Sequence, residues 1–120
     1  TKKRIDYLKN FLRNEGFRFE ETEGHIRFKV QGNTYFAFKS DAPYLQVMIM
    51  CEYPCSKAKA LEICNELNGD RFITKCVVVN DRVWCCWEFQ PTDHTTTDYY
   101  MNIFHILDRV SDEFLAKANA

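Results

Sequence analysis

Residues 61–90, LEICNELNGDRFITKCVVVNDRVWCCWEFQ, decide how the rest of this chain is read. A helical segment closes at Asn68-Gly69 and gives way to two apolar arms, about 71–79 and 82–90. They meet at Asn80-Asp81, two residues that tolerate the positive φ a two-residue type I′ turn demands, so the spacing predicts a hairpin. In that register Val78 faces Val83, Cys76 faces Cys85, Thr74 faces Trp87 and Phe72 faces Phe89. This row is the more apolar and is expected to lie against helices. The opposite row holds Ile73, Lys75, Val77, Val79, Arg82, Trp84, Cys86 and Glu88. It is mixed, yet Val77, Val79 and Trp84 together are very apolar for a face left to water. A sheet apolar on both sides needs two coverings. The second comes either from another molecule or from a helix or the loop at 90–97.

The strand at 44–51 repeats the pattern, with Leu45, Val47 and Ile49 on one side and Met48 and Met50 on the other. Apolar at nearly every position, it is expected in the centre of the sheet. Upstream, Ile26, Phe28 and Val30 alternate with Arg27 and Lys29, and Gln31-Gly32-Asn33 turns the chain into a strand at 34–39. Phe17 and Phe19 open a shorter strand, with the turn at Glu20-Glu21-Thr22-Glu23-Gly24. The first helix, about 2–15, is marked by Ile5, Leu8, Phe11 and Leu12 at helical spacing and by Gly16 as its stop.

Downstream of the central strand, Ser56 stands as the N-cap of the middle helix, whose buried stripe is Ala60, Ile63, Cys64 and Leu67. Thr95 and Asp98 have capping-box spacing before a last helix that runs to about 117. It carries Tyr100, Ile103, Phe104, Leu107, Val110 and Phe114 on one face. The order α-β(3–4)-α-β-β-α predicts one α+β domain over 1–120, a sheet layered with helices.

The totals narrow the function classes. With 46% apolar residues, ten Phe, six Tyr and two Trp in 120 residues, the chain has material for a real core. Sixteen basic against seventeen acidic residues give a net charge of -1, which lacks the basic excess of nucleic-acid binders. No apolar run approaches the length needed to cross a bilayer. No signal-peptide pattern opens the chain, although a start at Thr1 rather than Met suggests trimming. Six Cys are too sparse for a disulfide-built miniprotein and alternate with apolar neighbours, which makes a cytoplasmic setting the expectation.

Three chemistries have candidate residues. Cys76 and Cys85, at a non-hydrogen-bonded pair, are within reach of a cross-strand disulfide, or are two reduced core thiols. Cys51 and Cys55 make a Cys-x-x-x-Cys with no second pair at zinc-site spacing, and Cys85 and Cys86 point to opposite faces of a strand. A thiol-dependent enzyme would use Cys51/Cys55 or Cys76/Cys85, but nothing local joins them to His25, His94 or His105. With four Gly in all, there is no phosphate-cradling loop. No cofactor, metal or catalytic residue is expected. Asn65 and Asn68, in the last turn of the middle helix, are expected either to satisfy free helix carbonyls or to tie that helix to the adjoining strand.

The helix ending in Asn65-Glu66-Leu67-Asn68, followed by a hairpin and a long final helix, resembles the YbjN-like family, related in fold to type III secretion chaperones. The resemblance spans nearly the whole chain in layout. It implies a chaperone-like α+β fold, frequent homodimers, no catalytic residues, and a bacterial cytosolic protein that binds other proteins, sometimes called a sensory-transduction regulator. Secretion chaperones are clearly acidic, and a net charge of -1 departs from them. The expected function is therefore a non-enzymatic protein-binding module. It would dimerise or hold a client on the face of Met48, Met50, Val77, Val79 and Trp84. The alternatives are the thiol enzyme or a small-ligand sensor using the space between sheet and helices.

Overall fold

A computed structural model describes residues 3–71 and 73–120. The expected start of the first helix at Lys2 and the pairing of Phe72 with Phe89 fall outside these residues. Helix α1 (Arg4–Asn14) leads into strands β1 (Phe19–Glu21), β2 (His25–Val30), β3 (Asn33–Phe38) and β4 (Leu45–Glu52). Helix α2 (Lys57–Asp70), strands β5 (Thr74–Val79) and β6 (Arg82–Phe89), and helix α3 (Thr97–Ala118) complete the chain. The strands form one antiparallel sheet in the order β1-β2-β3-β4-β6-β5. β4 is central, as its nearly unbroken apolar run requires. Helix α2 crosses from β4 to the far edge, so β6 inserts between β4 and β5.

All three helices lie on one face of the sheet. Ile5, Leu8 and Leu12 of α1, Ile63 and Leu67 of α2, and Ile103, Leu107 and Phe114 of α3 share one cluster with a single row from each of five strands. That row is Ile26, Phe28 and Val30, then Tyr35 and Ala37, then Leu45, Val47 and Ile49, then Cys76, then Val83, Cys85, Trp87 and Phe89. Period-2 alternation in the strands and a 3.6-residue stripe in the helices produce this layer without exception among the described residues. One buried polar group anchors it: the Tyr35 hydroxyl donates to the Phe104 carbonyl at 2.9 Å.

The turns and caps show where local chemistry was read correctly and where it was not. Gln31 (φ 52) and Gly32 (φ 85) are both left-handed and make the two-residue β2–β3 turn of type I′ character. At Asn80-Asp81 only Asn80 (φ 56) is left-handed, so the expected type I′ turn is not formed, although the two-residue register holds. Glu20 and Glu21 belong to β1 rather than to a turn, because both pair with β2. Gly69 does not end α2, which continues helically to Asp70. The cap of α3 is Thr96, whose hydroxyl accepts from the Tyr99 amide at 3.1 Å; the Thr95 hydroxyl instead accepts from the Thr92 amide at 2.9 Å.

Gly69 is not left-handed, so it does not stop α2, and Asn68 just before it bonds β5. In the hairpin register the Cys76 N–H and C=O point away from β6, toward the free edge. The Asn68 side chain donates to the Cys76 carbonyl at 2.9 Å and accepts from the Cys76 amide at 2.7 Å. One side-chain amide thus stands where a seventh strand would pair. Replacing Asn68 with Ala removes both bonds, and the expected loss is about 1–3 kcal/mol in urea unfolding. No measurable loss would mean that water serves the Cys76 backbone equally well.

At the other edge, Glu21 bridges Lys9 of α1 at 2.9 Å and Lys39 at 2.8 Å. Its hydrogen bond to Lys39 and then that to Lys9 hold its carboxyl down at about 2. The folded value lies below the unfolded one, so the stabilisation is complete above the ordinary carboxylate range. It is lost as pH falls through about 2. The group is exposed and screened, so the effect on stability is small, but the midpoint itself is measurable. A carboxyl 13C titration is expected to place it near 2; an ordinary carboxylate midpoint would mean that the bridge does not persist in solution.

Candidate functional site

The sheet face turned away from the helices is built from the second row of the same strands. Register places Phe36 of β3 beside Met48 of β4, Met48 beside Cys86 of β6, and Cys86 beside Lys75 of β5. One step along, Met50 lies beside Trp84 and Trp84 beside Val77. Met48, Met50, Val77, Val79 and Trp84 therefore share this face. Val77 is 36% exposed and Val79 44%, while Met50 and Trp84 are half-buried.

Met48 and Cys86 are buried although no helix covers them. The covering comes from aromatic rings that meet at steep angles over this face. Phe36 on β3 and Trp84 on β6 approach to 6.0 Å between ring centroids, and Phe38 and Trp84 to 5.8 Å. β3 and β6 flank β4, two strand spacings or about 9.6 Å apart, so the rings must lean over β4 to meet. His25 packs against Phe36 and Phe38 at 5.9 and 5.5 Å. Phe36 and Phe38 thus belong to the patch. The alternating strand at 34–39 placed the two on one face, but no local spacing fixed which face.

Most charges on this face are paired within it. Arg27 pairs with Glu20 on β1, Lys75 with Glu88 at 2.7 Å, and Arg82 with Glu52 at 3.2 Å, whereas Lys29, on the same row of β2 as Arg27, has no ion pair among the described residues. The hydrogen bond to Glu88 pushes the Lys75 ammonium up from its ordinary value. The loop at 90–96 does not reach over the patch. It folds against α1 instead, where Arg4 donates to the Pro91 carbonyl at 3.2 Å, and just beyond it Thr97 donates to Glu15 at 3.0 Å.

All the thiols but Cys86 lie on the helix side. Cys76 and Cys85 face each other with 3.6 Å between Sγ atoms, both reduced. Cys51, half-buried at the end of β4, stands opposite Val83 on the same row as Cys85, which stands opposite Ile49. Its two thiol neighbours and burial push the Cys85 thiol up, while the Cys85 thiol brings Cys51 and Cys76 down against the opposing effect of burial. Of these three, Cys76 and Cys85 are buried and Cys51 is the one solvent reaches. Burial pushes Cys64 up to about 11 and Cys86 up to about 12. None of the three His supports these thiols. His25 packs on the outer face and contacts the Thr22 hydroxyl, while His94 and His105 are exposed on the 90–96 loop and on α3. Among the described residues no three metal-ligating side chains converge.

The arrangement as a whole is found in a solved protein. The crystal structure of YbjN from E. coli, provisionally described as a transcription regulator, superposes with a TM-score of 0.63 at 14% identity. The match covers 96% of this chain and 90% of that one. The chain has the YbjN fold. At that identity the likeness concerns architecture alone. No family model matches the sequence, and no curated relative does. No helix among the described residues is long and apolar enough to cross a membrane.

Proposed function

We propose that the chain is a non-enzymatic protein-contact module whose helix-free sheet face packs against the same face of a second copy. The observation that supports this reading is the apolar layer of Phe36, Phe38, Met50, Val77, Val79 and Trp84 on the side that no helix occupies. Both sheet edges are poor docking sites for an added strand: β1 has three residues, and Asn68 occupies the Cys76 position of β5. Contact by the face is left. A rim whose charges are mostly paired with one another asks for little charge from its partner, which disfavours nucleic acid and suits an identical face. Aromatic and Met side chains at the centre with charges at the rim are the usual anatomy of such contacts. The YbjN structure's description as a regulator agrees with a binding role in place of catalysis. Six reduced thiols suit a cytoplasmic setting.

Light scattering across a concentration series tests this reading. The wild type is expected to approach twice its monomer mass. Trp84→Glu, which puts a charge at the centre of the patch, is expected to weaken association by about 2 kcal/mol or more, roughly thirtyfold in Kd. The circular dichroism of the variant should be that of the wild type. A monomer at every concentration overturns the dimer, and a Trp84→Glu chain that still dimerises places the interface elsewhere.

A further inference from the structure

Three thiols on the helix side form a line across adjacent strands: Cys51 on β4, Cys85 on β6 and Cys76 on β5. Cys85, in the middle, lies 3.6 Å from Cys76 between Sγ atoms, and its strand partner on β4 is Ile49, the residue preceding Cys51 on the same face. Cys76 and Cys85 are 2% and 0% exposed, so no oxidant in solution reaches them in the native fold. Cys51 is half-buried and open at its end of the sheet. A buried row of small apolar side chains would fill the space equally well with Val or Ala. What sulfur adds is a continuous path for thiol–disulfide exchange from solvent into the core.

We propose that Cys51 is an entry thiol for low-molecular-weight disulfides, and that Cys85 and Cys76 resolve it in turn. In the first step the Cys51 thiolate attacks a disulfide RSSR, forming a Cys51–SR mixed disulfide and releasing RS⁻. The Cys85 sulfur then attacks the Cys51 sulfur, which forms a Cys51–Cys85 bond and expels a second thiol, RSH. In the last step Cys76 attacks Cys85, forms the Cys76–Cys85 disulfide and returns Cys51 as a thiol. The protein loses two electrons and two protons, and RSSR becomes two RSH. Exchange follows thiolate character and access, both of which favour Cys51 for the first attack. The final pair stands at a non-hydrogen-bonded cross-strand position, where Cα atoms about 4.5 Å apart fall at the short end of disulfide reach. From 3.6 Å, bond formation requires the two sulfurs to close by about 1.5 Å.

The test uses the whole chain, native and without denaturant, incubated with oxidised glutathione and then quenched with acid, alkylated and mapped by mass spectrometry. The wild type is expected to end with a Cys76–Cys85 link and an alkylated Cys51. Cys51→Ser, or Cys51→Ala should the serine variant not fold, is expected to slow oxidation about tenfold or more. Cys76→Ser is expected to accumulate the Cys51–Cys85 disulfide, and Cys55→Ser to oxidise at the wild-type rate. Six free thiols, glutathione held on Cys51 with no internal link, or an unchanged rate in the Cys51 variants would each overturn the proposal. So would a rate that falls with Cys55→Ser and not with the Cys51 variants.

Discussion

Replacing Phe104 with Ala is expected to remove about 3–5 kcal/mol of stability, the largest loss of any single truncation considered for this chain. The ring is 2% exposed and stands where α3 meets the sheet. It lies 5.0 Å from the Tyr35 ring, 5.6 Å from Phe28 in an edge-on arrangement, and 6.2 Å from Phe11. Those three rings come from β3, β2 and α1, so one side chain joins three elements to a fourth. The Tyr35 hydroxyl also bonds the Phe104 carbonyl, which fixes how far the helix can settle into the space left behind. Restricted collapse puts the cost toward the upper end of the range. Small domains hold about 5–15 kcal/mol in total, so this variant would sit near its unfolding transition. Thermal unfolding followed by circular dichroism would show it. A loss under about 1 kcal/mol would mean that α3 repacks freely.

The second large effect is a contrast between the two faces of one sheet. Val47→Asp places a carboxylate at a position with no exposure, between Ala37 on β3 and Trp87 on β6. Ala37 offers it no donor, and the unpaired Nε1–H of Trp87 is one neutral donor, with no positive charge beside it. An unpaired buried charge costs several kcal/mol, enough to leave little folded chain at neutral pH. Acidification should restore part of the fold. Burial raises the carboxyl above its unfolded value, so the neutral acid is favoured in the folded state and the penalty is relieved as pH falls. The same change at Val77, 36% exposed and one face away, is expected to cost under about 1 kcal/mol of monomer stability, the span of strand propensity. It should nevertheless weaken self-association. Urea midpoints of the two variants, measured side by side, decide the matter. Equal losses would mean that the outer face is packed as tightly as the inner one.

Much of this architecture was legible because it rests on short-range rules. Ile26, Phe28 and Val30 alternate cleanly, and a two-residue turn fixes every pair from Val79–Arg82 to Thr74–Trp87. What was not legible depends on contacts between distant segments. The junction of β3 with β4 crosses the 40–43 loop, so the partnership of Phe36 with Met48 has no local signature. The placement of Cys51 on the same row as Cys85 of the neighbouring strand requires β4 to pair with β6 and not with β5, a choice made by the α2 crossover. Three consecutive threonines, Thr95 to Thr97, each offer a cap, and only packing selects Thr96. Gly69 carried the ordinary stop signal, but it does not take the left-handed conformation and the helix runs on to Asp70. The oxidised-glutathione experiment and the light-scattering series read opposite sides of the sheet, so neither result bears on the other.

The amide that Asn68 places against β5 also limits what crowding can do. A sheet whose margins are both closed to further strands has a valence of one, because a single face is left for contact. Molecules of that kind pair and stop. Raising the concentration should increase the population of pairs without generating chains or fibrils, and loss of the Asn68 side chain would reopen the margin from which a filament could grow.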